Sequence, residues 1–542
     1  MTAPDIEPEA QPSETAENRP RDLGYGAALV AAGILLSRLL GFVREHFRAR
    51  FLGAGVAADA FTAAFRLPNL LQNLFGEAAL SASFIPVYAG VLAREGEEEA
   101  GRVAGAVGAA MALAVSIFVL GGILLAPYIV AIVNPGFTGR QRELTILLAQ
   151  ILFPGSGLFV MSAWCLGILN SHRKFFLSYA APVLWNLAMI AALLFFRGHG
   201  PEDLSVRLAW ASVAGALLQF AVQVPVVLRV APRLRVAIGH ASGHVRTVFR
   251  NFTPAFMGRG VVQLSAYVDQ ILASFLPVGS VAMLGFAANL YTLPVSLFGM
   301  SISAAELPEM ARAAGGSEGA NAELRTRLTA GLKRIAFFVV PSAAAFMALG
   351  DVMIRLLFES GRFGRAQTIY TWGILAGSAV GLLAGTLGRL YSSTFYAMHD
   401  TRTPLRFATA RVALTGALGY VFAFPVPRLL GLDAHWGAAG LTASAGLAAW
   451  VEFALLRATL RRRIAAPGLP ARLALRLWGA AGLAAAIAFA LKRLLWSHGK
   501  VLVAVTVLGT YGLCYLAATF LLGVPDAAAL LRRVGIGRAR RA

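Results

Sequence analysis

The sequence predicts an all-α polytopic membrane protein, about fourteen transmembrane helices arranged as two six-helix lobes plus two C-terminal helices, and three observations predict it. Of 542 residues 58% are hydrophobic and 14% charged, with a mean hydropathy of +0.68, whereas a soluble domain carries about 25% charged residues. Apolar runs long enough for a bilayer-spanning helix of ~20 residues recur along almost the whole chain. A block from the first lobe recurs in the second. Soluble α/β and all-β folds need long polar surfaces that are missing, and the 56 Gly and 24 Pro follow no collagen or linker period.

The chain opens on a polar, acidic stretch, residues 1–24, in which Asp5, Glu7, Glu9, Glu14, Glu17 and Asp22 outnumber Arg19 and Arg21. It has too little apolar surface to fold and is expected to be a disordered cytoplasmic tail. It lacks a basic n-region followed by a short apolar run and a cleavage site, so no cleavable signal peptide is expected. The membrane segments then run over 25–50, 58–91, 104–133, 144–170, 175–196, 206–228 and 248–276. They continue over 279–311, 329–350, 366–398, 404–426, 436–458, 472–494 and 501–523. The second, eighth and tenth are long enough to tilt, bend or leave the membrane. A basic end, 525–542, closes the chain.

Charge orients the segments. With the N-terminus inside, the inner connections (92–103, 170–177, 229–250, 311–334, 398–406, 457–476 and the end after 525) hold 27 Lys and Arg. The outer ones (51–59, 134–143, 197–207, 277–279, 359–366, 425–437 and 492–500) hold ten. Because Lys/Arg bias sets orientation, both termini are expected in the cytoplasm. Much of the net charge of +21 is then a topology signal, and nucleic acid is not an expected partner.

Phe51-Leu52-Gly53, Leu67-Pro68, Leu74-Phe75-Gly76 and Ser81-Ala82-x-x-x-Pro86 recur as Phe275-Leu276-Pro277, Leu293-Pro294, Leu297-Phe298-Gly299 and Ser303-Ala304-x-x-x-Pro308. The repeat unit is therefore six helices, and an even number of crossings gives both copies the same orientation. The expected divisions are 25–230, 245–465, a pair of extra helices over 470–524, and the two tails.

Ionisable groups in such segments are costly and face protein or a water-filled cavity. The first segment carries Arg38, Arg44, Arg48 and Arg50; the second carries Asp59, Arg66, Asn69, Gln72 and Glu77 around Pro68. Asp59, Arg66 and Asn69 share one helix stripe. Arg259, Gln263 and Asp269 follow in the seventh segment, Asn289 and Glu306 in the eighth, and Arg389 in the tenth. Arg48 and Arg50 are expected to snorkel at a membrane edge. For the deeper Arg38 and Arg44 two readings stand: a buried ion pair with Asp59 or Glu77, or a solvated cavity for an anion. Arginine suits phosphate because its planar fork donates bidentate, charge-assisted hydrogen bonds and keeps its proton. Asp269 and Glu306 lack the neighbouring carboxylates of a dedicated cation site.

No metalloprotease, P-loop, nucleophile-elbow or His/Cys metal motif is present, so neither an enzyme nor a resident cofactor is expected. Cys165 and Cys514 lie in apolar runs as small core residues.

The stretch Ser37–Gly90, SRLLGFVREHFRARFLGAGVAADAFTAAFRLPNLLQNLFGEAALSASFIPVYAG, closely resembles the MurJ (MviN-like) lipid II flippases of the MOP transporter superfamily. So do NSHRKF with Pro182 and Asn186, the block Thr292–Arg312, LLFESGRF, and FYAMHDTRTPLRFA, spreading the resemblance over about 25–525. The resemblance implies a transporter in a bacterial inner membrane that flips lipid II, the undecaprenyl-pyrophosphate-linked peptidoglycan precursor, from inner to outer leaflet. Its lobes would alternate around a cationic cavity, driven by membrane potential or a coupling cation, with the two last helices as a lipid-tail groove and with peptidoglycan synthesis proteins as partners. Residue by residue, Arg38 and Arg44 match the family's first-helix cavity arginines, Asp59 its second-helix aspartate, Asn69 and Glu77 its polar positions there, and Arg389 a basic residue of the tenth helix. Two positions depart: Gln72 and Asn289 stand where many members have arginine. Arg259 is the candidate for restoring one charge. Another polyprenyl-pyrophosphate oligosaccharide as cargo, or a non-transporting scaffold for cell-wall synthesis, are the alternatives.

Overall fold

The protein is described by a computed structural model over residues 19–76, 80, 83–234, 243–315, 319–465 and 468–533, with the backbone alone for 19–31, 251, 253–266, 320, 531 and 533. Most of the acidic tail, the last nine residues and Glu77 lie outside the described residues, as does the side chain of Arg259.

Among the described residues the chain is helical apart from its turns and one isolated bridge between Ser360 and Phe363. The first helices are α1 (Arg19–Leu52), α2 (Val56–Phe75), α3 (Ile85–Arg94), α4 (Glu97–Val133), α5 (Gly139–Ser171), α6 (Phe175–Phe195) and α7 (Pro201–Val230). Then come α8 (Gly243–Ser274), α9 (Ser280–Pro294), a π-helical turn (Val295–Met300) and α10 (Ser301–Ala314). The remainder are α11 (Ala320–Leu357), α12 (Arg365–Ala397), α13 (Arg402–Ala423), α14 (Pro425–Leu429), α15 (Gly437–Ile464), α16 (Ala471–Leu495), α17 (Lys500–Leu521) and α18 (Pro525–Arg533). Helices thus occupy the place of every expected segment, the second being α2 with α3 and the eighth α9 with α10.

Among the described residues, eleven spans are long and apolar enough to cross a membrane. Helix α2 is outside that set, and the cause is visible in Asp59 and Arg66, which interrupt it; α1 carries Arg38, Arg44, Glu45, Arg48 and Arg50 in its second half. Such helices need protein or water beside them, and they border the seam described below.

Helix ends follow local chemistry. Glu97, Glu98 and Glu99 open α4, where carboxylates oppose the positive end of the helix dipole, and Arg461, Arg462 and Arg463 close α15 at the negative end. At Gly76, which ends α2, a methyl group would stand 2.1 Å from the Gln72 carbonyl oxygen, so the chain can leave the helix there only without a side chain. The repeat gives this position a partner: Leu297-Phe298-Gly299 lies within the π-helical turn that interrupts the eighth segment. Phe75 packs on Phe118 of α4 at 5.1 Å and Phe298 on Phe338 of α11 at 4.5 Å, so both copies rest an equivalent ring on the helix that follows.

Within the first half, α1 packs on α6, α2 on α5, and α5 to α7 on one another; in the second, α12 packs on α11 and α15, and α15 on α13. The α12–α15 crossing is close because a methyl on Gly381 would come within 2.3 Å of Gly446 Cα. Helix α8 touches both halves, α2 and α4 on one side and α13 and α9 on the other. The pair α16–α17 packs on α11.

Candidate substrate cavity

Helix α1 meets the second half along a seam, and Arg38, Arg44, Glu45 and Arg48 lie along it. Arg38 is exposed although it sits mid-helix, and its Nη1 donates to Ser296 Oγ on the π-helical turn at 3.3 Å. Arg44 is half-buried. Its Nη2 lies 2.8 Å from Glu45 Oε1, its Nη1 donates to Asn186 Oδ1 of α6 at 3.1 Å, and its guanidinium lies 4.4 Å over the Trp185 ring. Glu45 is buried and takes a second guanidinium, that of Arg48, at 2.7 Å, with the Asn289 side chain of α9 beside the same carboxylate.

Arg48 therefore does not snorkel. It is 7% exposed, its Nη1 donates to Thr62 Oγ1 of α2 at 3.4 Å, and its guanidinium lies 4.6 Å over Phe286 of α9. Helical phase is the reason: three residues after Glu45 it shares that face, and a carboxylate partner outweighs the pull of the membrane edge. Arg50 is exposed, as a residue at the edge should be. Glu45 was not singled out in the sequence; its spacing of three from Arg48 was the available signal.

Asp59 holds no arginine. It is 1% exposed, accepts from the backbone N–H groups of Gly279 at 2.6 Å and Ala282 at 2.7 Å, and accepts from Gln141 Nε2 at 3.1 Å. A carboxylate of the first half thereby caps the first turn of α9 in the second, where donors are orphaned and the dipole is positive. Around it the halves are joined by Gly136 N–H to Ser274 Oγ at 3.0 Å, Gln270 Nε2 to Asn134 Oδ1 at 2.9 Å and Arg66 Nη1 to Gln270 Oε1 at 3.2 Å. Arg362 N–H donates to the Arg50 carbonyl at 2.9 Å. All of these lie at the end of the molecule where α1 finishes, so that end of the seam is shut.

Asn69 and Gln72 line a crevice against α5 and α7, walled by Phe65, Leu152, Ser156 and Ser212. Trp185 stands between this crevice and Arg44: its Nε1 donates to Ser212 Oγ at 3.1 Å, and its ring stacks on Phe65 at 5.9 Å. Arg389 is exposed on the C-terminal part of α12 and makes no ion pair among the described residues. The structure thus brings Arg38, Arg44 and Asn289 to one seam, puts Asp59 in its closure, and sets Asn69 and Gln72 in a side crevice. No cluster of three or more His, Cys, Asp or Glu that fits a metal ion exists among the described residues.

Known proteins agree with this architecture. Residues 48–512 match the family described as lipid II flippase MurJ. The "Probable lipid II flippase MurJ" of Rhizobium meliloti is 32% identical over 441 residues, covering 80% of this chain and 79% of that protein. The "Lipid II flippase MurJ" of Burkholderia cenocepacia is 32% identical over 446 residues, covering 81% and 84%. Among solved structures, "Lipid II flippase MurJ, inward closed conformation" superposes with a TM-score of 0.74 at 21% identity, covering 94% of this chain and 99% of that one. An inward-facing MATE-family multidrug transporter of the MOP superfamily gives 0.64 at 18% identity, covering 80% and 98%.

Proposed function

The chain belongs to the lipid II flippase MurJ family, and on that footing we propose that it carries lipid II by alternating access between its two halves, residues 25–230 and 245–465. It is a multi-pass membrane transporter and not an enzyme. The observation that carries the mechanism is the pair of exposed guanidinium groups, Arg38 and Arg389, on helices otherwise fit for a bilayer. An arginine cannot shed its charge there, so water and an anion are its natural company. Arg38 and Arg44 receive the pyrophosphate, each through charge-assisted hydrogen bonds, while the lipid chain stays in the bilayer.

Outer-end closure by Asp59 and its neighbours fits a cavity that opens toward the inner leaflet, with both termini in the cytoplasm of a bacterial inner membrane. Parting of the Asp59 cap from α9 then accompanies opening outward. An inside-negative potential drives an anion outward by about 2.3 kcal/mol per charge per 100 mV, so the cycle needs no nucleotide. The departure at Asn289 is accommodated locally: Asn289 lies beside a carboxylate that Arg44 and Arg48 already neutralise. With Arg44 and Arg48 against Glu45 alone, that face keeps one net positive charge.

The test is replacement of a host's lipid II flippase by this protein, reading inner-leaflet lipid II with membrane expression checked. Rescue is expected, and Arg38→Ala with Arg44→Ala should abolish it while the protein still folds. Rescue retained by that double variant would end the assignment of the pyrophosphate site.

A further inference from the structure

The outer connections are sparing of cations, yet half of their ten are gathered at one corner: Arg362 and Arg365 before and within α12, Lys492 and Arg493 at the end of α16, and Lys500 at the start of α17. Arg355 of α11 joins them, and the Trp496 ring carries Arg355 at 4.3 Å, Arg365 at 4.5 Å and Lys492 at 5.5 Å. Topology gives no reason for such a gathering, since the bias runs the other way.

Carboxylates do not balance it. Asp351 takes Lys492 Nζ at 2.8 Å and lies 3.8 Å from Arg365; Glu359 lies 3.7 Å from Arg355 and 3.8 Å from Arg365. Lys500 donates to a backbone carbonyl, that of Glu359, at 2.9 Å. Arg362 and Arg493 are exposed and make no ion pair among the described residues. The nearby Glu202 is held by Arg140 at 2.8 Å. Six cations against two carboxylates leave the corner four charges positive.

Its position matters as much as its charge. Arg362 N–H holds the Arg50 carbonyl, and a methyl on Gly361 would stand 2.4 Å from the same oxygen, so the corner is continuous with the closed end of the seam. On its other side α16 and α17 present exposed apolar side chains, Leu494, Leu502 and Val505 among them. Headgroup chemistry and chain chemistry therefore adjoin.

We propose that this corner is an exit site, where the diphosphate of the transported lipid rests in the outer leaflet on Arg365 and Arg493 while its chain lies along α16 and α17. This rests on the flippase reading above. Two exposed guanidinium groups suit a two-phosphate group, and Lys492 and Arg355 hold the Trp496 platform between them.

The experiment uses the full chain in neutral-lipid nanodiscs, with undecaprenyl diphosphate as probe and Arg38→Ala with Arg44→Ala as a background that silences the central cavity. Residual binding is expected there, and adding Arg365→Gln and Arg493→Gln should weaken it about tenfold, the loss of a charge-assisted contact. Arg493→Gln alone, which breaks no ion pair, should weaken it in the same direction and guards against misfolding of the double change. Absence of residual binding, or no response to Arg493→Gln, overturns the site. So does equal displacement by phosphatidylglycerol, which would make it an ordinary phospholipid contact. Failure of the flippase reading is separate: it shows as no rescue of a host lacking its lipid II flippase by the parent chain at normal membrane expression, whatever the corner binds.

Discussion

At the scale of the residue, the charged core of the seam turns on Glu45. Two guanidinium groups share one buried carboxylate, so removing it leaves both facing each other. Glu45→Ala should cost about 3–5 kcal/mol, as for other buried pairs broken on one side, measured as the shift in denaturant unfolding of the purified protein. Outside the membrane, Asp400 shows the opposite case. The Thr403 hydroxyl and backbone N–H, then Arg463, hold its carboxyl down at about 2 from the ordinary 3.8, and it caps α13. A depressed carboxyl stabilises above its unfolded value and loses this as pH falls from about 3.8 toward about 2. Amide-exchange protection at Arg402 and Thr403, taken relative to the intrinsic exchange rate at each pH, should therefore be flat from neutral pH to about 4 and fall below it, and Asp400→Asn should flatten that fall and cost about 1 kcal/mol. Arg38 and Arg44 were legible as cavity candidates because an arginine deep in an apolar run must have a carboxylate, an anion or water beside it. The inward turn of Arg48 was not, because distance from a helix end is read from sequence while the phase of a neighbouring helix is not. Nor did the stripe shared by Asp59 and Arg66 show that Asp59 would spend its oxygens on the backbone of α9.

At the scale of the element, the segments themselves were readable, since length and apolarity suffice for a bilayer span. How they hold one another was not, and α11 shows why. Pro341 lacks the N–H that would bond the Phe337 carbonyl four residues back. The Tyr515 hydroxyl of α17 donates to that carbonyl at 2.7 Å, and the Tyr511 hydroxyl donates to the Pro341 carbonyl at 2.7 Å. A proline in one helix is thus answered by a tyrosine 174 positions later, a pairing with no local trace. Tyr515→Phe should destabilise by about 0.6–2 kcal/mol, the range for hydrogen bonds between membrane helices. Pro341→Ala returns a donor to the Phe337 carbonyl, so in that background the same change should cost measurably less. Additive losses in the four unfolding midpoints would sink this account. Together with Lys492 on Asp351, these bonds tie α16 and α17 to α11, so the pair travels with the second half of the molecule.

At the scale of the whole molecule, transport by alternating access requires the contacts around Asp59 to part in every cycle. Between α2 and α9, one turn beyond that cap, a methyl on Gly285 would stand 3.0 Å from Thr62 Cγ2, close to the distance from a Cβ to the partner sulfur of a disulfide. Gly285 lies within a helix, so a cysteine there needs no unusual backbone. The variant Thr62→Cys with Gly285→Cys should oxidise spontaneously in the membrane and fix the outer end shut. Native Cys165 is buried in its own half and Cys514 lies in α17, so neither competes for this pair. Binding of lipid II from the inner side should persist in the oxidised protein while delivery to the outer leaflet stops, and reduction should restore delivery. Each single cysteine should behave as the parent. Delivery that continues at full rate with the disulfide formed would mean that the lipid passes without parting the halves here, and the Asp59 cap would then be a static joint and not a gate.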